Sequence, residues 1–389
     1  MLPLAIYGVA KVVGAIFLIL AAKHQVALGL GGHIHIEIPT PASPSYTQTA
    51  INWDGQWYAT VVRHGYPSKL PIVHGIVAQN QWAFFPLYPT LVKLLMLAVG
   101  WAYPLAAVGV STICGAFAVS LMHTHLARTA SRFLATACTA SLCAFMSAPI
   151  LQVAYTESLA LLLITLAIRY LDSGQLLRLA GVAVLIALTR QIVIALGIVI
   201  VVHALLSRRH WNRTRTVQQL ALGAFTIALT WLWPTIAGLY TGRWDAYLVS
   251  VNAWRSGNAS PEVGAWFRTP GVWESRGLLA FLVIVLVVQA AVVLQRDAAL
   301  WGLGWRLWVG VYSLFFLVAT GPGAGVFRYL LLCGPGLWPF PGLPGSPSRF
   351  ARLRVLILIC WVLVGFSLQW LWVRDFFTIT GDPSKGAFP

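Results

Sequence analysis

The sequence predicts an all-α polytopic membrane protein with a single domain over residues 1–389. Hydrophobic residues make up 59% of the chain and charged residues only 9%, which is far from the balance of a soluble domain. Several apolar runs reach the roughly 20 residues that a membrane-spanning helix needs. These runs are continuous, whereas the strands of a membrane barrel alternate between apolar and polar residues, so we expect the spans to be helices.

Apolar runs predict about eleven transmembrane helices joined mostly by short loops. They lie near residues 3–22, 104–122, 133–150, 157–171, 178–190, 191–206, 217–240, 276–295, 301–320, 326–340 and 355–373. We assign the run from Phe85 to Val99 to a helix in the membrane interface, because a twelfth span there would put the basic stretch 123–132 on the wrong side. The first run lacks a basic segment before it and is too long for a typical signal peptide, so it is expected to remain as the first span.

The charged residues predict which side of the membrane each loop faces. Lys and Arg number 26 against 10 acids, and they cluster in short loops, as is typical of cytoplasmic loops. This pattern explains the positive net charge without nucleic acid as a partner, and it favours contact with anionic membrane lipids. Two long loops, about residues 23–103 and 241–275, then lie on the non-cytoplasmic face. The short, Arg-rich and Lys-poor chain favours a bacterial plasma membrane.

One carboxylate stands out in the first long loop, because Asp54 lies among Trp and Tyr residues. The pattern predicts a helix from Trp53 to His64, with Asn52 as its N-cap and Gly65 as its C-terminal stop. An acid in the first helical turn is also stabilised by the helix dipole, so a purely structural role is the alternative. The aromatic surroundings, in a chain with so few charges, favour a catalytic role for Asp54.

Three charged residues at the ends of predicted spans accompany Asp54 on the non-cytoplasmic face. Glu157 begins a span, where a buried acid is costly; it either caps that helix or orients Asp54 or a sugar hydroxyl. Arg190 lies between two apolar runs and is expected to pair with Glu157 or to contact a phosphate. Arg328, beside Tyr329, is the preferred phosphate ligand, and the alternative is an arginine that extends to the membrane surface.

Taken together, these motifs resemble the PIG-V family, which is named for the second mannosyltransferase of glycosylphosphatidylinositol-anchor assembly and has shorter bacterial relatives. The resemblance covers most of the chain in the same order. Its motifs are Trp53-Asp54-Gly55-x-Trp57-Tyr58 with His64-Gly65-Tyr66, Ala83-Phe84-Phe85-Pro86-Leu87-Tyr88-Pro89, Tyr155-Thr156-Glu157-Ser158-Leu159, Leu188-Thr189-Arg190 and Arg328-Tyr329-Leu330.

This resemblance implies a GT-C glycosyltransferase, a helical bundle whose long first non-cytoplasmic loop holds interfacial helices. Such an enzyme moves a sugar, most often mannose, from a polyprenyl-phosphate donor to an acceptor, here a glycolipid. Asp54 matches the expected catalytic base, and Glu157 is the second catalytic candidate. Many GT-C enzymes have paired acids in this loop, so the single Asp54 favours base catalysis without a metal or other cofactor. The residues expected to bind substrate are Trp53, Trp57, Tyr58, His64, Tyr66, Arg190, Arg328 and Tyr329.

Other interpretations remain open from the sequence. A transporter or flippase for a lipid-linked sugar is the main alternative, and it predicts inverted halves and ionisable residues near the middle of the bilayer. Tryptophans in the second long loop either stack on sugar rings or belong to the interfacial aromatic belt. The histidine pairs lack a third ligand and do not indicate a metal site. The tryptophans are Trp254, Trp266 and Trp273, and the histidine pairs are His33 with His35 and His123 with His125. Arg255 and His64 are further candidates for binding phosphate.

Overall fold

A computed structural model describes residues 1–31, 34–208, 212–254, 276–319, 325–343 and 351–381. The described chain is mostly helical. The α-helices are α1 Leu2–Ala22, α2 Tyr46–Thr49, α3 Asp54–His64, α4 Leu87–Val99, α5 Tyr103–Thr129, α6 Arg132–Ala144, α7 Glu157–Asp172, α8 Leu176–Ala187, α9 Val193–Ser207, α10 Arg213–Ala228, α11 Leu232–Thr241, α12 Ala246–Asn252, α13 Arg276–Leu294, α14 Leu303–Ala319, α15 Val326–Leu330 and α16 Ala351–Trp372.

Shorter elements connect these helices. Two short antiparallel strands, β1 (Ile72–Val73) and β2 (Ile76–Val77), form a hairpin in the first long loop. Turns of 3₁₀ helix and one π-helical turn extend or link the α-helices. They are Gln81–Ala83, Ala148–Gln152, Leu229–Trp231, Arg296–Trp301, Leu331–Leu337 and the π-helical Val373–Phe377.

Helix length and hydropathy confirm a membrane protein. Within the described residues, four helices are long and apolar enough to cross a membrane, namely Leu2–Ala22, Tyr103–Thr129, Arg213–Thr241 and Arg352–Phe377. The total of eleven spans stays a prediction. Three expected spans are not single α-helices. The run 133–150 is α-helical only as far as Ala144, the run 217–240 contains the 3₁₀ turn Leu229–Trp231, and the run 326–340 changes after Leu330 to 3₁₀ helix.

Local sequence explains where several helices begin and end. Ser131 begins α6 by accepting a hydrogen bond from the Leu134 amide at 3.1 Å, and Asn212 does the same for α10 at 2.8 Å; both are typical N-caps. Pro104 lies in the first turn of α5, where its missing N–H is harmless. Gly100 ends α4 in the left-handed conformation, with φ of +74°, which a glycine adopts without strain.

The expected helix after Asn52 forms, but the role predicted for Asn52 is wrong. Helix α3 begins at Asp54, and no side chain caps it. Asn52 is fully buried, and its amide nitrogen donates to Gln25 Oε1 at 2.8 Å, so it ties the first loop to the end of α1. Gly65 ends α3 with φ of +72°, as the sequence predicts.

Asp172, the last residue of α7, joins four helices. Its Oδ1 accepts a hydrogen bond from the Gly304 amide of α14 at 3.0 Å. His125 of α5 lies 3.2 Å from Oδ2, and His203 of α9 lies 3.4 Å from Oδ1. Residue 304 must be small, because a Cβ there would lie 2.7 Å from Oδ1. Since α7 starts at Glu157, its two ends carry two acids with different surroundings.

Candidate active site

Four charged side chains from distant parts of the sequence meet at the start of α7. Arg328 Nη1 donates to Asp54 Oδ2 at 2.5 Å, and Arg328 Nε lies 3.6 Å from Glu157 Oε1. Arg190 Nη1 donates to the same Glu157 oxygen at 2.7 Å. Two acids and two arginines therefore form one connected, charge-balanced cluster, in which Arg328 links Asp54 to Glu157.

Burial differs sharply among the four side chains. The side chain of Glu157 is completely buried, and those of Arg190 and Arg328 are 16% and 11% exposed. Asp54 is the most accessible member, with 23% of its side chain exposed. Removing one partner of a buried ion pair leaves an uncompensated charge, which typically costs about 3–5 kcal/mol. The cluster is therefore held together by its own charge balance, with Asp54 at its accessible side.

Aromatic rings fix the planes of the two guanidinium groups. Arg328 lies 5.1 Å from the ring centres of both Tyr155 and Tyr329, and Arg190 lies 5.0 Å from the Tyr329 ring. Arg190 also donates to Thr156 Oγ1 at 2.9 Å. Cation–π contacts of this kind contribute most where water is excluded. The arginines are thus oriented before any ligand binds.

Asp54 itself is placed by a strained residue. Trp53, directly before it, has φ of +57° and ψ of −116°, a backbone conformation that is unfavourable for any residue except glycine. The Trp53 indole nitrogen donates to the Phe377 carbonyl at 2.8 Å, and the side chain is buried. Strain of this kind persists only where the surroundings enforce it, and it clusters at functional sites.

The cluster faces a cavity of about 380 Å³. Asp54, Arg190 and Arg328 all line it, but Glu157 does not. Glu157 contacts the guanidinium groups of both arginines but does not line the cavity. The remaining lining residues are Trp53, Tyr58, Gln79, Ala83, Phe84, Phe85, Thr156, Thr189, Gln191, Tyr247, Val251, Trp254 and Tyr329.

A second cavity of about 410 Å³ adjoins the first. Its walls are mostly apolar and come from α9, α12 and α14. The two cavities share a set of residues at their boundary, which are Arg190, Gln191, Tyr247, Val251 and Tyr329. Arg190 thus lies where a chamber that contains charged side chains meets a more apolar one.

The predicted substrate residues divide into two groups. Trp53, Tyr58 and Tyr329 line the main cavity with the two arginines, and Trp57 lines a small recess beside it. His64 lies elsewhere: its side chain is 61% exposed, and Nε2 lies 2.9 Å from Glu37.

Tyr66, the remaining predicted substrate residue, lies in the first long loop away from the main cavity. Tyr66 donates to the Phe84 carbonyl at 3.0 Å and packs against Trp82, with ring centres 4.7 Å apart, so it supports the loop and does not line the main cavity. Arg255, Trp266 and Trp273 lie outside the described residues.

Several residues at the cavity did not stand out in the sequence. The Tyr247 hydroxyl donates to Gln191 Oε1 at 2.5 Å, and Gln79 reaches the cavity from the loop after β2. Gln191 directly follows Arg190, which is the only local signal for it. Among the described residues, no group of three or more His, Cys, Asp or Glu side chains is arranged to hold a metal ion.

Comparison with solved structures identifies the fold. The chain is similar to the archaeal oligosaccharyltransferase AglB from Archaeoglobus fulgidus, in a structure with an inhibitory peptide and a dolichol-phosphate, at a TM-score of 0.53 and 11% sequence identity. The match covers 98% of this chain and 56% of AglB. A second structure of the Archaeoglobus fulgidus oligosaccharyltransferase, tethered with an acceptor peptide that contains the NVT sequon, gives a TM-score of 0.48 at the same identity and coverage.

This chain therefore spans little more than half the length of AglB. No protein-family model matches the sequence, and a search of curated proteins finds no match. At this level of identity the likeness concerns the fold alone. The expected fold class is confirmed: the chain is a helical membrane protein with a fold similar to that of AglB.

Proposed function

We propose that this protein is an inverting glycosyltransferase and that it moves mannose from a polyprenyl-phosphate donor to a glycolipid acceptor. The observation that carries the proposal is the position of Asp54. It is the only acid lining the described part of the main cavity, and it lies beside two arginines that the surrounding rings hold in place.

The proposed reaction uses the two charge types for opposite purposes. Asp54 takes the proton of the acceptor hydroxyl as its oxygen attacks the anomeric carbon of the donor sugar. The bond from that carbon to the phosphate oxygen breaks, and the lipid phosphate leaves with its electron pair. Arg328 and Arg190 stabilise the negative charge that develops on this phosphate. The products are the glycosylated acceptor, the lipid phosphate and a proton, which Asp54 then releases to water.

The two adjoining cavities support a lipid-linked donor. A sugar phosphate needs a chamber with cations in its wall, and a polyprenyl chain needs an apolar chamber. Here Arg190 and Tyr329 lie at the junction between such chambers, so a phosphate bound there joins a sugar in one to a hydrocarbon chain in the other. The fold likeness to AglB, whose solved structure contains a dolichol-phosphate, is compatible with this arrangement.

Direct assay of the purified protein in lipid nanodiscs tests this proposal. Polyprenyl-phosphate mannose with a radioactive sugar is supplied together with a glycolipid extract, and labelled products are separated from the donor. We expect label in a glycolipid and release of the lipid phosphate. Binding of the donor without any transfer would contradict the proposal, and movement of intact donor between the leaflets of a vesicle would favour a flippase.

A further inference from the structure

A small recess beside Asp54 lies next to the main cavity but has a different chemical character. Its volume is about 20 Å³, which is room for a single hydroxyl group or water molecule. Both the recess and the main cavity are lined by Trp53, Asp54, Gln79 and Trp254. Neither Arg190 nor Arg328 lines the recess, so it offers a neutral surface with a carboxylate at its edge.

The carboxylate of Asp54 has one oxygen available to this recess. Its hydrogen bond to Arg328 uses Oδ2, and no hydrogen bond to Oδ1 from another side chain occurs within the described residues. A general base must lie within hydrogen-bond reach of the proton that it removes. The geometry therefore allows Asp54 to keep Arg328 on one oxygen while the other accepts a hydroxyl proton.

Stacked aromatic rings form the rim of the recess. His35 stacks on Trp57, with ring centres 3.7 Å apart and planes 22° apart. Trp254 meets Trp57 edge-on, with ring centres 4.9 Å apart. Burial lowers the pKa of the His35 imidazole, and the nearby charge of Glu37 only partly opposes this effect. The ring is therefore mainly neutral at pH 7, which leaves the rim uncharged.

Two residues with polar groups line this rim. The indole nitrogen of Trp254 is buried and has no hydrogen-bond partner within the described part of the chain, and a buried donor without a partner is costly. Gln79 is exposed and lines both spaces. Together they offer an N–H donor and an amide beside flat rings.

We infer that this recess and its rim bind the acceptor, and that the acceptor presents a sugar ring to Asp54. This inference rests on the proposed function. The C–H face of a pyranose packs on aromatic rings, its hydroxyls pair with N–H and amide groups, and one hydroxyl enters the recess to reach Asp54. A neutral rim has nothing to attract a second phosphate. A plain alcohol would leave the Trp254 N–H unpaired, and an extended peptide has no ring to stack.

Acceptor kinetics test the inference with three probes of matched chemistry. Octyl α-mannoside, octanol and a threonine-containing peptide are each supplied with radioactive polyprenyl-phosphate mannose to the full chain in nanodiscs. We expect transfer to the octyl mannoside and little or none to the other two. Equal or better transfer to octanol or to the peptide would overturn the inference.

Single-residue variants locate the binding site. Trp254→Phe keeps an aromatic ring but removes the N–H donor, and Gln79→Leu removes the amide at an exposed position. Each is expected to raise the KM for octyl mannoside about 3- to 10-fold, the effect of one lost hydrogen bond, and to leave the donor KM unchanged. Trp244→Phe, at an indole that is 71% exposed, is the matched control and should change neither KM.

The outcomes separate the two proposals. If the wild-type protein transfers sugar to none of the probes or to natural glycolipids, the proposed function fails, and this inference fails with it. If the wild type transfers sugar but the Trp254 and Gln79 variants keep the wild-type acceptor KM, only the acceptor site is wrong. A matching rise in the donor KM would instead place these residues at the donor.

Discussion

The two ends of helix α7 each hold an acid with positively charged or ionisable partners, but the surroundings of these acids are opposite in kind. Glu157, at the first residue, binds arginines that face a cavity. Asp172, at the last residue, lies close to two histidines and accepts a backbone amide, and it lines none of the cavities described above. The first end keeps cations ready for a ligand, whereas the second satisfies its acid with partners from the protein itself.

This difference shows how to separate a chemical site from a structural one when both consist of paired charges. Every hydrogen bond of Asp172 described here goes to a neighbouring helix, so its contacts hold α5, α9 and α14 together. In the Glu157 cluster, by contrast, the charges of Arg190 and Arg328 are balanced by acids yet remain at a cavity wall. Ionisable pairs that are expensive in a membrane and open to a cavity are typical of functional sites.

In the comparison of the two ends of α7, the larger effect is expected from removing a cation at the cavity end. Arg328→Gln should lower the rate of sugar transfer by about 10²–10³-fold, because a preorganised donor to the leaving group is lost. Arg328→Lys should transfer sugar only slightly faster than Arg328→Gln, because lysine lacks the planar guanidinium group that binds two partners. Transfer is measured at saturating donor, on protein that elutes as a single folded species.

Arg243 provides the matched control for this prediction. It is an exposed arginine paired with Asp245 at 2.5 Å, and its side chain is 45% exposed. Arg243→Gln should transfer sugar at the wild-type rate. Near-normal sugar transfer by Arg328→Gln would contradict the proposal that the Glu157 end of α7 takes part in catalysis.

A moderate effect on stability, without an effect on chemistry, is expected at the other end of α7. Asp172→Asn weakens its interactions with two histidines and should lower the free energy of unfolding by about 1–3 kcal/mol. The thermal midpoint should fall, while transfer per folded molecule at a permissive temperature stays as in the wild type. Loss of transfer in a fully folded Asp172→Asn protein would break the distinction between the two ends.

The smallest effect is expected on the loop surface, at Glu37. Burial raises the pKa of its carboxyl, but hydrogen bonds from His64 and Arg63 outweigh burial, so the pKa is lowered overall. Because its pKa is lower in the folded state, the ionised Glu37 stabilises the fold at pH values above its unfolded-state pKa. This contribution disappears as the pH falls through the folded-state pKa.

The Glu37 prediction is tested by thermal unfolding at a series of pH values. Glu37→Gln should lower the free energy of unfolding by less than about 1 kcal/mol near neutral pH, because its partners are exposed. The difference from the wild type should vanish in acid, and sugar transfer should not change. A difference that grows as the pH falls would contradict the assigned direction of the pKa shift.

Much of the fold could be predicted because membrane solvation leaves few choices. Apolar runs of spanning length have to be helices, and the long apolar helices α1 and α5 lie where the sequence places them. The exceptions are informative. Ser147 and Pro149 interrupt the run 133–150, and Gly334 with Pro335 interrupts the run 326–340, where Gly334 has φ of +55°. Hydropathy does not register such backbone breaks.

The site is only partly predictable, for a physical reason. Charge bias placed Asp54, Glu157, Arg190 and Arg328 on one face of the membrane, and the structure brings these four together. Charge bias in the sequence could not show that Glu157 stays away from the cavity or that His64 binds Glu37, because both depend on loop packing. The prediction for Asn52 is wrong for the same reason. An asparagine that caps a helix and one whose side chain is buried in a tertiary contact look alike in a sequence.

The most direct test of the central claim is the transfer rate of Asp54→Asn with donor already bound. The substitution keeps the size of the side chain and removes the base. We expect the variant to bind polyprenyl-phosphate mannose in the same stoichiometry as the wild type and to transfer the sugar about 10²–10⁴-fold more slowly. Transfer at the wild-type rate by folded, donor-loaded Asp54→Asn protein would contradict the assignment of Asp54 as the catalytic base.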